Sequence, residues 1–209
     1  MTKLLLLAIS INTYTAHGQL FMTRTGFIGF YSKTPLENIS AENKQVSAVI
    51  DAGKKNIAFS LLVKSFVFPN KLMQEHFNEN YVESDKFPKA SFVGAYVGYV
   101  NTVKNGLYAV TAKGRLTLHG ITRLIEVPAT IEVRNDALIG YASFKLKPAE
   151  FNIKVPSIVS VKIAELIDVR VAVECTPTQN NANESLLHPS LFLFLFTTAS
   201  SGFYLISDD

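Results

Sequence analysis

The chain has 209 residues, of which 48% are hydrophobic, 11% aromatic and only 18% charged, with a formal net charge of +3. That length suits one domain with a sizeable core, and the composition excludes a disordered or low-complexity protein. The lone cysteine, Cys175, excludes an intrachain disulfide framework and the zinc patterns built on paired cysteines.

At the start, Lys3 precedes the apolar run Leu4 to Ile11, and small residues follow at Ala16 and Gly18. This order predicts a secretory signal peptide over residues 1–18, cleaved between Gly18 and Gln19, and so a periplasmic or secreted protein. The run is short for a bilayer span, and a buried N-terminal strand is the alternative.

From Gln45 onward, apolar and polar residues alternate with period two, the pattern of antiparallel strands with one face in a core. Strands are expected at about Gln45 to Asp51 and Ile57 to Phe68, with the turn signal Gly53-Lys54-Lys55 between them. The spacing changes over Pro69 to Tyr81. There Leu72, Met73, His76, Phe77 and Tyr81 recur at helical intervals, Asn70 is placed to cap the start, and Pro88 holds Phe87 extended beyond the end.

The meander then resumes at about Ser91 to Val100. The next strand, Leu107 to His119, shows the alternation most clearly. It sets Val110, Ala112, Gly114, Leu116 and Leu118 on one face and Thr111, Lys113, Arg115, Thr117 and His119 on the other. Its successor sets Ile125, Val127, Ala129, Ile131 and Val133 against Glu126, Thr130 and Glu132. Gly120 turns between them, and His119 reads as a solvated turn residue. Further strands fall at about Ala137 to Lys147 and Val161 to Glu174, with turn signals at Asn105-Gly106 and Asn135-Asp136. Many strands at hairpin spacing predict an all-β sandwich or barrel, and in an up-and-down barrel the short helix would cap an open end.

Residues 176–209 read as a polar linker, Thr176 to Ser185, and a hydrophobic tail containing Leu191 to Phe196. A membrane anchor, an ordered extra strand and a loose extension all stay open for it. Of the 20 Lys and Arg and 17 Asp and Glu, residues 1–18 hold only Lys3 and residues 176–209 only Glu184, Asp208 and Asp209. The body is therefore more basic than the whole chain. Its basic residues are scattered, however, and without a basic run or an RNP-like aromatic motif nucleic acid is excluded as a partner.

Catalytic signatures are missing as well. The chain contains no Gly-x-Ser-x-Gly elbow, no P-loop and no Gly-x-Gly-x-x-Gly fingerprint. Cys175 ends a strand without an electropositive setting, and the body offers only His76 and His119 as imidazole ligands, too few for a metal site. The expectation is a protein without metal, cofactor or enzymatic activity.

The strings Met73-Gln-Glu-His-Phe77, then Tyr81, and Phe87-Pro-Lys-Ala-Ser-Phe92 resemble the signature of the YceI-like family. Gly114-Arg-Leu-Thr-Leu-His-Gly120-Ile-Thr122 with Val127-Pro128, Phe144 to Pro156 with Phe151-Asn-Ile153, and Lys162 to Val173 extend the likeness over about residues 45 to 175. The resemblance implies a domain over residues 19–175 with a lipocalin-like antiparallel β-barrel. It further implies an exported protein whose interior takes up a long isoprenoid chain, such as a polyprenyl phosphate or a quinone tail, without catalysis.

Inward-facing candidates for that ligand are Val110, Ala112, Leu116, Leu118, Ile125, Val127, Ile131, Phe144 and Leu146, with Met73 and Phe77 from the helix. His76 is the candidate for a polar head group, whereas Arg115 alternates to the outer face. A barrel filled by its own side chains would show the same pattern, and an envelope interaction protein without ligand is the competing reading. Membrane contact through the tail and a homodimer also stay open.

Overall fold

Eight strands form, each antiparallel to its neighbour in sequence: β1 (Leu20–Lys33), β2 (Asn38–Asp51), β3 (Asn56–Leu62), β4 (Lys89–Val97), β5 (Gly106–Leu118), β6 (Ile121–Arg134), β7 (Ala137–Leu146) and β8 (Ile167–Pro177). β8 also pairs with β1, which closes an up-and-down barrel and leaves no sheet edge. The computed structural model describes residues 20–33, 38–154 and 165–178. The expected signal peptide and residues 161–164 of the last expected strand lie outside the described residues. A second unit, Gln179–Asp209, also lies outside them and contains most of the linker and the whole hydrophobic tail. Among the described residues no helix is long and apolar enough to cross a membrane, a statement that does not concern strands.

Hairpin chemistry sets the register. His119 and Gly120 take φ 51° and 72°, and Asn135 and Asp136 take 49° and 61°, so both hairpins turn on two left-handed residues. Such turns twist in the same sense as the strands they join, and they fix the pairs Leu118↔Ile121 and Arg134↔Ala137.

Four strands depart from the regular period or from the expected bounds. β1 shows no readable alternation because its pairing with β2 shifts register between Thr23 and Gly26 and again between Gly26 and Ile28. Each bulge changes which face the following side chains take. β2 begins seven residues before Gln45, where two adjacent exposed residues, Lys44 and Gln45, interrupt its period. At that kink the fully buried Asn43 donates to the Leu62 carbonyl (2.9 Å) and accepts from the Gln45 amide (2.8 Å), so a polar residue occupies an inward position. β3 stops at Leu62 rather than Phe68: the chain leaves the sheet through a tight turn at Val63–Ser65, and Val67 bridges back to Glu42. β8, finally, runs through Thr176 and Pro177 into the expected linker, and Thr178 hydrogen-bonds the Leu20 carbonyl (2.8 Å).

The interior divides into two apolar layers. At the end bearing the β2–β3, β4–β5 and β6–β7 turns, Phe21, Ile50, Tyr96, Ile131, Leu138 and Val173 pack around Cys175. At the opposite end Val46, Leu61, Val63, Phe66, Phe68 and Phe151 form the second layer. Each such side chain contributes about 1.5–3 kcal/mol on burial.

Cys175 is fully buried in the first layer, and desolvation pushes its thiol up to about 12. Thiolate is the reactive form, so native protein should resist alkylation at pH 8 and become labelled only on unfolding. A labelling time course with and without urea checks this expectation; rapid labelling of native protein would refute it.

Candidate functional site

The segment between β3 and β4 crosses the second end of the barrel. Asn70 caps α1 (Lys71–His76), its Oδ1 accepting from the amides of Leu72 (2.9 Å) and Met73 (3.3 Å), as the sequence predicts. Gln74 Oε1 accepts from the Phe68 amide (3.2 Å) and holds the incoming chain against the helix. The helix then widens into a π turn over Phe77–Tyr81, closed by the Val82 amide on the Phe77 carbonyl (3.0 Å). Phe77 and Tyr81, at the two ends of this turn, both line the barrel interior.

Phe77 stacks on Phe30 (5.7 Å between ring centroids) and meets Phe68 and Phe66 at 4.9 and 5.8 Å. Between these rings, the helix and the strands lies a cavity of about 440 Å³. Its walls include Met73, Phe77, Leu116, Leu118, Phe144 and Leu146, and His76 stands among its few polar residues with Ser32, Asn70 and Tyr81. A second cavity of about 150 Å³ lies deeper, walled by Val110, Ala112, Ile125, Val127 and Ile131. The two adjoin, sharing Ile28, Leu61, Ala90, Leu116 and Phe144 as walls. All twelve residues singled out from the sequence thus line one cavity or the other, five of them only the inner one. The inner space exists because Ala90, Ala112, Ala129, Gly140 and Ala142 put little volume into it.

Sequence reasoning missed Phe30, Phe66 and Phe68, which make the aromatic wall of the outer cavity. The spacing Phe66-x-Phe68 was a usable signal. Phe30 was not legible, because the bulges in β1 precede it.

His119 departs from expectation. It is 7% exposed rather than solvated, and both ring nitrogens are engaged: Nδ1 with the Phe151 carbonyl (3.0 Å), Nε2 with Glu83 Oε2 (3.0 Å). Both partners, a carbonyl oxygen and a carboxylate oxygen, are hydrogen-bond acceptors. The clamp joins the β5–β6 hairpin to the loop after the helix and to the turn Pro148–Phe151, three segments around the outer cavity. The Phe87 ring stands edge-on to the imidazole (4.4 Å) and also lies 2.7 Å from where a side chain on Gly120 would begin. A turn of type I′ needs φ > 0, and this ring leaves room there for glycine alone.

The His119 hydrogen bond holds the Glu83 carboxyl below its ordinary 4.5, with Lys86 (3.6 Å) adding to the effect. Folding then favours the ionised form, so this contribution is present above 4.5 and is lost as pH falls through the lowered value. Wild-type protein should accordingly exceed Glu83→Gln in stability at neutral pH, with the gap closing in the acid range. His119→Ala, which leaves the Phe151 carbonyl unpaired, should cost about 2 kcal/mol. Urea unfolding across a pH series measures both; a gap independent of pH would refute the role given to Glu83.

Among the described residues no group of three or more His, Cys, Asp and Glu side chains gathers to hold a metal. The geometry is that of a closed eight-stranded antiparallel barrel, lipocalin-like in architecture, with an apolar interior under a short helix. The YceI-like domain profile matches residues 16–175, and the chain belongs to that family. Solved structures agree on the fold. Burkholderia cenocepacia BcnA matches with TM-score 0.61 and 17% identity over 72% of this chain and 96% of its own. A polyisoprenoid binding domain from Saccharophagus degradans, implicated in plant cell wall breakdown, matches with TM-score 0.65 and 11% identity over 78% and 100%. The Campylobacter jejuni YCEI protein matches with TM-score 0.56 and 18% identity over 71% and 90%. Curated protein sequences give no match.

Proposed function

We propose that this chain is an exported, non-catalytic binding protein that holds a long isoprenoid chain, such as a polyprenyl phosphate or a quinone tail, inside its barrel. The observation that carries the reading is the pair of adjoining cavities, about 440 and 150 Å³, walled almost wholly by hydrocarbon and placed end to end along the interior. Preformed apolar pockets of this size suit a flexible hydrocarbon, each buried CH₂ returning about 0.8 kcal/mol. Membership of the YceI-like family and the polyisoprenoid binding described for the Saccharophagus degradans domain support the ligand class. The walls support a binding role: among the described residues the titratable side chains on them are His76, Tyr81, Tyr96 and Tyr141, with no nucleophile and base set side by side. His76, beside the outer cavity and solvent-exposed, is the residue placed to meet a polar head.

Export rests on the Lys3 to Gly18 pattern, and periplasmic or secreted localisation follows from it. Native mass spectrometry of protein purified gently from its exported compartment, repeated after organic extraction, tests the whole reading. A stoichiometric isoprenoid on a chain beginning at Gln19 is the expected result. An apo mass that persists after incubation with quinones and polyprenyl phosphates would overturn the ligand assignment, and a chain retaining Met1 would overturn export.

A further inference from the structure

A hydrophobic patch stands at the end of the barrel opposite the helix, apart from both cavities. Val97, Tyr99, Val103 and Leu107 are 56, 73, 88 and 68% exposed, and all four belong to β4, β5 and the loop between them. Large apolar side chains scattered singly on a surface need no explanation, but four on one hairpin do. The loop is built to present them. Tyr108 donates its hydroxyl to the Lys104 carbonyl (2.9 Å) and stands edge-on to Tyr99 (6.3 Å), and the Val103 amide donates to Asn101 Oδ1 (3.1 Å).

Lysines surround the patch. Lys104 is in the loop itself, and Lys54 and Lys55 come from the adjacent β2–β3 turn, which Lys55 Nζ ties to the Gly98 carbonyl (3.0 Å). Among the described residues none of the three has a carboxylate within ion-pair distance. The nearby acidic groups are Asp51, which accepts from the Lys54 amide, Glu132, which faces Leu107 across the ladder but pairs with Arg134 (3.4 Å), and Asp136 in the next turn.

We propose that this end of the barrel docks on an anionic lipid bilayer, with Tyr99, Val103 and Leu107 entering the interface and Lys54, Lys55 and Lys104 meeting the head groups. Aliphatic side chains at a loop tip, tyrosine behind them and a lysine collar match the order of hydrocarbon, interface and charged surface along a bilayer normal. A protein partner suits the patch less, because interface cores are depleted in lysine and stable ones need a wider area than one hairpin supplies. Leu20 and Thr178, the two ends of the described barrel, hydrogen-bond each other at this same end, where Leu20 pairs with Asp51 beside the Lys54 turn. The docking face is independent of what the cavity holds.

The chain contains no tryptophan, so one introduced indole reports without background. Full-length Val103→Trp is mixed with phosphatidylcholine vesicles with and without phosphatidylglycerol, and Leu124→Trp, at an exposed site of β6 that lines neither cavity, serves as the control. The proposal expects a blue shift of Val103→Trp emission on anionic vesicles only, weakening with salt, and none for Leu124→Trp. Adding Lys54→Glu and Lys104→Glu should weaken vesicle binding about five-fold or more per lysine. No shift at position 103 overturns the proposal, as does an equal shift at position 124. Sedimentation showing that Val103→Asp converts a dimer to a monomer, without changing vesicle binding, would assign the patch to a second copy and overturn it too.

Discussion

Gly114→Ala is expected to remove about 3–5 kcal/mol of stability, a large share of the 5–15 kcal/mol by which a domain of this kind is folded. Gly114 of β5 faces Gly94 of β4 across the ladder, and the strands approach closely where neither carries a side chain. A Cβ on Gly114 would begin 2.5 Å from the Val93 carbonyl and 2.7 Å from both the Gly94 Cα and the Phe92 ring. One on Gly94 would strike the Lys113 carbonyl and stand 2.6 Å from the Gly114 Cα. The ring of Phe92 can swing aside, but the backbone atoms cannot, so relief requires the two strands to part. Such glycines mark a corner where a barrel wall bends sharply. Urea midpoints at unchanged m measure the loss. Gly94→Ala should cost a similar amount, and the double variant less than the sum, since one separation of the strands relieves both clashes. A loss under about 0.5 kcal/mol for either single variant, the level of an ordinary surface change, would show that the wall has slack.

Ala112→Phe is expected to shorten the hydrocarbon chain that the barrel accepts. Ala112 pairs with Tyr96 and Val127 and lines only the inner, 150 Å³ cavity, which a phenyl ring would occupy. A ligand denied about five CH₂ groups of burial loses about 4 kcal/mol, close to a thousandfold in Kd. A shorter ligand ending in the 440 Å³ outer cavity should bind almost as before. Ala90→Phe, on a wall common to both cavities, should weaken short and long ligands alike. Titration with isoprenoids of graded length, alongside unfolding curves to register any overpacking cost of 1–3 kcal/mol, separates the cases. If Ala112→Phe bound every length as wild type does, the inner cavity would play no part in binding.

These positions show which parts of the site were readable in advance. The inward sets on β5 and β6 stand out because those strands are long, regular and joined by a tight two-residue turn, so one register error would have exposed the whole set. The helix stripe was equally plain, since Asn70 marks its start and Leu72, Met73, His76 and Phe77 follow the helical period. The aromatic wall was legible only in part: Phe66 and Phe68 lie in a segment that reads as continuing β3 but turns off to cross the barrel end. Local pattern does not reveal that departure, because it depends on where β4 begins to pair.

The sequence by itself determined the class of this protein: antiparallel strands in hairpin order, one short capped helix, an apolar interior face, and motifs shared with the YceI-like family. Short-range chemistry suffices for these, through side-chain alternation, turn residues and caps. Tertiary structure alone decided the closure of β8 on β1, the face presented by the bulged β1, and the joining of His119 to Glu83 and Phe151. Each of these depends on residues far apart in the chain, or on register shifts that break the period, and becomes defined only when the barrel closes.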